Sequence, residues 1–178
     1  YGKSNPGKLT YASSGAGGTI HLSAELFKSM TGIRMEHIAY KSSPLAHIDM
    51  ISGQVQAMFD AMPTALPQTK AGRLRAVAVT TAKRSAQVPD LPAIAETLPG
   101  FDAAGWFGYA APAKTPKAVI AALNKEIVRI LHSSDIQSKL AADGSEPVGN
   151  TPEQFGAHIK SEVAKWAKVV REANIRAE

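Results

Sequence analysis

The stretch LTYASSGAGGTIHLSAELF, residues 9–27, decides the reading of the fold. An apolar, β-branched start gives way to Ser-Ser-Gly-Ala-Gly-Gly-Thr, and an amphipathic run follows at once. That order is strand, tight loop, helix. Residues 8–13 read as a strand and 19–30 as a helix, with Gly32 suited to the C-terminal turn. Ile20, Ala24 and Phe27 recur at helical spacing, and His21, Glu25 and Lys28 fall on another face. Such a turn sets bare backbone N–H groups at a helix start, where about half a positive charge resides.

Outward from this stretch the alternation continues. Residues 35–40 read as a second strand, a short helix opens at Pro44 and stops at Gly53, and 55–59 form a third strand ending at Asp60. Another short helix follows Pro63 and stops near Gly72. Residues 74–80, LRAVAVT, are apolar on both faces, which predicts a central strand of a covered parallel sheet. Strand–helix alternation of this kind argues an α/β sandwich with parallel pairing. Pro89, Pro92, Pro99 and Gly100 make 83–103 a turn-rich connector with one short helix near 93–97, the best candidate crossing between two lobes. Residues 105–112 then resume as an extended segment.

The last third is helical. Thr115-Pro116 predicts an N-cap with proline at the first helical position, and residues 118–131 carry a periodic apolar face. Ser134 caps a short helix ending at Gly144. Thr151-Pro152-Glu153-Gln154 is a capping box that starts a long helix towards Ala173, with Phe155, Ile159, Val163, Trp166 and Val170 as a core-facing stripe.

Several chemistries fail on residues that can be named. A P-loop ends in Gly-Lys-Ser/Thr, whereas Gly18-Thr19 runs into Ile20; a dinucleotide fingerprint needs a third glycine at that same Ile20. No nucleotide cofactor is expected. Ser13 and Ser14 lie at the strand-to-loop turn, but Gly-x-Ser-x-Gly is absent because Ala12 stands two before Ser14. These serines are expected to end the strand and cap the helix. A metal site needs three or four convergent ligands. His21 and Glu25, four apart, are expected to be a solvated surface pair, His47 stands two before Asp49, and His132 and His158 look solvent-facing, so no structural metal is expected. There is no cysteine, hence no disulfide.

Anion binding without bond chemistry remains, on the N–H groups of residues 15–19 and the neighbouring hydroxyls. A tight βα turn that binds nothing fits the same local sequence. In open α/β sheets ligands sit at the carboxyl ends of strands. Tyr40 and Asp60 lie at two other such ends, and Trp106 is a candidate ring wall, each with a packing or capping role as the alternative. The net charge is +5 with dispersed basic residues and 6% aromatics. Nucleic-acid grooves ask for a charge stripe with stacking rings, so none is expected. No apolar run approaches the ~20 residues of a membrane span. The start, Tyr1-Gly2-Lys3, is neither an initiator methionine nor a signal peptide, so sequence upstream is expected.

The segments NPGKLTYASSGAGGTIHLSAELFKSMTG (5–32), HIAYKSSPLAHIDMISGQVQAMFDAMPTALPQTKAGRLRAVAVTTAKRSAQVPDLPAIAET (37–97), GFDAAGWFGYAAPAKTPKAVIAALNKEI (100–127) and GSEPVGNTPEQFGAHIKSEVAKWAKVVREANI (144–175) resemble the tripartite tricarboxylate transporter receptors, the TctC or Bug-type periplasmic solute-binding proteins. The resemblance implies a two-lobed periplasmic binding-protein fold of Venus-flytrap type (type II), with mostly parallel sheets flanked by helices. It implies capture of a small carboxylate (a di- or tricarboxylate or an amino acid) for a membrane permease of the tripartite type, with a loop from each lobe gripping the ligand partly through ordered water.

Residues 13–21 match the second-lobe loop of that family. The ligand-binding set is therefore Ser13, Ser14, Gly15, Gly17, Gly18, Thr19 and His21, with Tyr40, Asp60 and Trp106. Two positions depart from the pattern: Ser42 stands where the YKG-like stretch has glycine, and Ala61 where the MFDN-like stretch has asparagine. Family members are longer than this chain. Residues 1–103 are thus expected to be most of the second lobe and 104–178 the returning part of an incomplete first lobe, whose open face predicts a dimer or a missing segment. An α/β hydrolase using Ser14 with His21 or His37, and a remnant that binds nothing, are the alternatives.

Overall fold

The computed structural model describes residues 1–175. Strand β1 (Leu9–Ser13) lies between β2 (Met35–Ala39) and β3 (Ala57–Met58), and both pairings are parallel. Helix α1 (Thr19–Thr31) connects β1 to β2, and α2 (Ser43–Ile51) connects β2 to β3; α3 (Met62–Lys70) follows.

Alternation along β1 sends successive side chains to opposite layers. Tyr11 packs with Ala24 of α1 and Met35 of β2, backed by Leu9, Phe27, Ile33, Ala57 and Phe59. Ala12 faces the other way, onto Ala46 of α2 and Val55, backed by Ile38, Tyr40, Met50 and Met58. One helix thus covers each face. Alanine at 12, 24 and 46, each wholly buried, lets the helix axes approach the sheet closely. Gly32 ends α1 in the left-handed conformation at φ 69°, and its N–H donates to the Lys28 carbonyl.

The central strand is β1, not residues 74–80. That segment forms no ladder among the described residues beyond one parallel bridge, Val79 to Ala93, and Val77 is exposed. The physical reason is its neighbour. Val79 donates to the Pro92 carbonyl at 2.9 Å and accepts the Ile94 N–H at 3.0 Å, but Pro92 has no N–H to carry the ladder on to Val77. The third strand is likewise shorter than expected, two residues in place of five.

The connector is pinned by charge. Arg84 forks onto Glu96 at 2.8 and 2.9 Å, and the Glu96 carboxylate also accepts the Ala93 N–H at 2.9 Å, fixing the 3₁₀ turn Ile94–Glu96. These bonds, the guanidinium first, pull the Glu96 carboxyl down to about 2.

The chain divides into two compact units, Tyr1–Gly105 with the chain from Trp166 onward, and Trp106–Lys165. The second contains α4 (Lys117–Leu131), α5 (Ser134–Ala142) and most of α6 (Pro152–Glu172). The predicted capping box is present: Thr151 N–H donates to Gln154 Oε1 at 2.9 Å, and Gln154 N–H donates to Thr151 Oγ1 at 3.2 Å. Thr115 does not cap α4; the N-cap is Pro116, so the helix starts one residue later. Ser133, not Ser134, occupies the N-cap of α5. The α6 stripe is not a core face throughout, since Ile159 and Val163 are exposed, with no described residue closing over them. Gly108 is required where it stands, because a Cβ there would lie 2.2 Å from the Phe155 ring.

Phe101 is wholly buried, with its ring edge towards Phe27. Phe101→Ala is expected to cost about 3–5 kcal/mol. Phe107→Ala, at a ring 95% exposed, should stay within about 0.5 kcal/mol. Urea melts of the two variants check the pair.

Candidate functional site

Because the three strands are parallel, the segments after Ser13, Ala39 and Met58 leave the sheet at one edge. The first is the glycine loop. Gly17 has φ 74°, a conformation that side-chain-bearing residues adopt at a cost. Gly18 is the N-cap of α1, extended at φ −73° and without a side chain to cap the helix. The first intrahelical bond runs from Leu22 N–H to the Gly18 carbonyl at 2.9 Å, so the N–H groups of Thr19, Ile20 and His21 have no acceptor within the helix. No acidic residue lies in the first turn. Ser14, Gly17, Gly18 and Thr19 are exposed around this start. The result is an uncapped helix N-terminus whose partial positive charge is open to solvent.

Below the loop lies a buried polar cluster that sequence reading placed elsewhere. His21 and Glu25 are not a solvated pair; they are 7% and 8% exposed. The reason is register. Tyr11 stands opposite His37 on the face that α1 covers, and the α1 residues above them must pair with their polar atoms. Tyr11 OH donates to Glu25 Oε1 at 2.5 Å, and Lys28 Nζ donates to the same oxygen at 2.6 Å while lying over the Tyr11 ring. Burial, reinforced by the bond to Glu25, raises the Tyr11 phenol far above its ordinary value. The His21 and His37 rings stack at 3.9 Å with 11° between their planes, and Tyr11 stacks on His37 at 4.9 Å.

Ser13 does not cap α1 either. Its hydroxyl donates to the Gly15 carbonyl at 3.0 Å, receives the Gly15 N–H at 3.3 Å, and lies 2.6 Å from His37 Nε2. One proton serves the Ser13–His37 bond, on Oγ or on Nε2 according to the His37 tautomer. His21 Nδ1 accepts the Gly17 N–H at 2.9 Å, which places the proton of the neutral ring on Nε2, 3.7 Å from Glu25. Sequence reading missed Tyr11 and Glu25 as site residues, and named His37 only as a hydrolase base. The readable signal was alternation: Tyr11, Ser13 and His37 are polar on strand faces where apolar residues belong.

Asp60 does not cap α3, whose N-cap is Ala61. It accepts Ser43 Oγ at 2.8 Å and pairs with His47 Nε2 at 2.7 Å, with only 6% of its side chain exposed. Tyr40 donates its N–H to the Ser13 carbonyl at 2.9 Å and its hydroxyl to Asp49 at 2.7 Å. Ser13, Gly15, Gly17, Gly18, Thr19 and His21 thus converge on one loop, and Tyr40 and Asp60 brace neighbouring strand ends. Trp106 belongs to the second unit, where its ring meets Phe155 edge-on at 5.4 Å and His158 at 5.1 Å. Among the described residues, no group of three or more His, Asp or Glu is placed to hold a metal, and no helix is long and apolar enough to cross a membrane.

The chain is an α/β protein with a glycine loop that leaves the first N–H groups of a helix uncapped at the carboxyl edge of a parallel sheet, a geometry suited to an anion. The family model for the tripartite tricarboxylate transporter family receptor, TctC, matches residues 1–175, and the chain belongs to that family. It is 37% identical over 175 residues to protein BugT of Bordetella pertussis, covering 98% of this chain and 54% of that protein. Among solved structures, the R. palustris protein Rpa4515 with adipate matches with a TM-score of 0.88 and 39% identity, over 98% of this chain and 59% of the other. The periplasmic binding protein BugD matches with a TM-score of 0.80 and 30% identity, over 100% and 60%. The chain spans about half the length of the first curated relatives it matches. The fold is that of the TctC-type periplasmic solute-binding proteins.

Burial holds both imidazoles below the ordinary histidine value of 6.5, with Lys28 adding to the effect on each and Glu25 opposing it. Just below that value the unfolded chain binds more protons than the folded chain, so stability falls as pH drops through it. Denaturation at pH 7.5 and pH 6 should give the lower midpoint at pH 6; equal midpoints would contradict the buried neutral pair. Tyr11→Phe, which strips a donor from the buried Glu25, should cost about 1.5–3 kcal/mol at pH 7.5.

Proposed function

We propose that this chain is the larger part of one lobe, and the returning part of the other, of a solute-binding receptor that captures a small carboxylate on the β1–α1 loop. The observation that carries this reading is the uncapped start of α1, with free N–H groups at Thr19, Ile20 and His21 and no acidic neighbour in the first turn. A carboxylate oxygen fits such a donor set without a salt bridge. Family membership supports it, as does adipate in the related Rpa4515 structure. In this reading residues 1–103 are most of the second lobe and 104–178 the returning part of the first. Ser14 and Thr19 add hydroxyls, and Tyr40 and Asp60 act by holding the adjoining strand ends rather than by touching ligand.

The receptor works in the periplasm and hands its ligand to a permease of the tripartite tricarboxylate type; BugD's description as a periplasmic binding protein supports the compartment. The reading requires neither catalysis nor a dimer. A hydrolase built on Ser14 loses support because the seryl partner of His37 is Ser13, which is wholly buried.

Gly18→Asp separates ligand binding from folding. A Cβ at Gly18 meets its nearest neighbour, the Gly15 carbonyl, at 3.7 Å, and its extended backbone accepts aspartate. The new carboxylate would occupy the N–H groups that a ligand needs. In the gene product that carries this chain, adipate at about a hundred times its dissociation constant should stabilise by about 2.7 kcal/mol. Gly18→Asp should abolish that shift while leaving ligand-free stability equal or higher by about a few tenths of a kcal/mol. A panel of mono-, di- and tricarboxylates and acidic amino acids that gives no saturable shift would overturn the reading.

A further inference from the structure

The glycine loop is tied at two points to a pair of rings that can take up protons. Gly17 N–H donates to His21 Nδ1 at 2.9 Å. Gly15 is bonded in both directions to Ser13, whose hydroxyl is hydrogen-bonded to His37 Nε2 at 2.6 Å. The two rings stack at 3.9 Å. With both neutral, every polar atom named here has a partner of the right kind. A proton on His21 must sit on Nδ1, since Nε2 already carries one, and it then meets the Gly17 N–H donor to donor. A proton on His37 leaves its bond to Ser13 intact but sets a charge against the His21 ring.

The geometry points to a proton-operated latch: neutral His21 holds Gly17 and fixes the loop so that the first N–H groups of α1 stay presented, and protonation of His21 releases it. The groups facing the pair are known from each element packed on it. On β1 these are Tyr11, a neutral phenol already donating to Glu25, and Ser13; on β2, His37 itself; on α1, Glu25 and Lys28. Lys28 neutralises Glu25 at 2.6 Å, so the carboxylate that would draw a proton onto His21 is largely spent, while burial and the Lys28 charge oppose protonation. The latch therefore opens below the ordinary histidine range. Any consequence for ligand affinity rests on the carboxylate reading above; the latch itself does not.

The test is an NMR titration of the ligand-free chain from pH 8 to pH 5, following the imidazole nitrogens and the Gly17 amide. At pH 8 the His21 ring should carry its proton on Nε2 alone. Exchange protection of Gly17, corrected for intrinsic rate, should fall about tenfold with the same midpoint as His21. His21→Phe keeps a flat ring on His37 but offers no acceptor, so its Gly17 protection should be low and independent of pH. His37→Phe leaves the His21 acceptor in place, so the Gly17 midpoint should still follow that of His21. Gly17 protection that stays constant while His21 titrates, or that survives in His21→Phe, overturns the latch. The carboxylate panel above, added at pH 8 and pH 6 to the gene product that carries this chain, separates the two proposals. Loop release that tracks His21 while no member of the panel binds at either pH keeps the latch and removes the carboxylate reading; binding at both with no loop release does the reverse.

Discussion

The register that sets Tyr11 opposite His37, and Ser13 opposite Ala39, is the constraint on which the rest of the first unit depends. β1 is covered on both faces, so each polar atom it carries must find a partner inside the protein or lose about 1–3 kcal/mol. Tyr11 and Ser13 both face α1. Once they are there, α1 must bring an acceptor to the phenol, and that is Glu25. A carboxylate so placed needs a countercharge, and Lys28, three residues on, reaches it along the same helix. His37 answers Ser13. The polar cluster is the consequence of putting a tyrosine and a serine on a central strand.

The other face repeats the logic with different residues. Ser43 and His47 of α2 close on Asp60, and Asp49 takes the Tyr40 hydroxyl. Each of the three segments at the carboxyl edge is therefore anchored by side chains from a helix on its own side of the sheet. Loops anchored this way reach a ligand already shaped, and less of the binding free energy goes into ordering them.

Much of this was legible in the residues. The turn at Ser13–Thr19 required a strand before it and a helix after it, and both stand within a residue of where periodicity put them. The capping box at Thr151 was a local signal and proved local in its geometry. What failed depended on neighbours that a sequence does not name. Residues 74–80 have strand composition, yet the backbone beside them contains Pro92 and cannot complete a ladder. His21 and Glu25 have the spacing of a surface ion pair, and only the strand register beneath α1 shows that they are buried. Asp60 read as a ligand contact or as a cap for the helix after Pro63; its partners in the fold lie 17 and 13 residues away.

In the carboxylate site proposed for this loop, the division of charge decides how the anion is held. Lys28 is the cation held in the cluster beneath the loop, and it is engaged with Glu25 and the Tyr11 ring. The histidines above it are kept neutral by burial. The attraction for an anion therefore comes from the uncapped dipole of α1 rather than from a fixed ion pair. Such a field fades within about one helical turn, so it grips whichever oxygens enter the loop and is nearly blind to the rest of the molecule. Discrimination between one carboxylate and another must then come from groups beyond this loop.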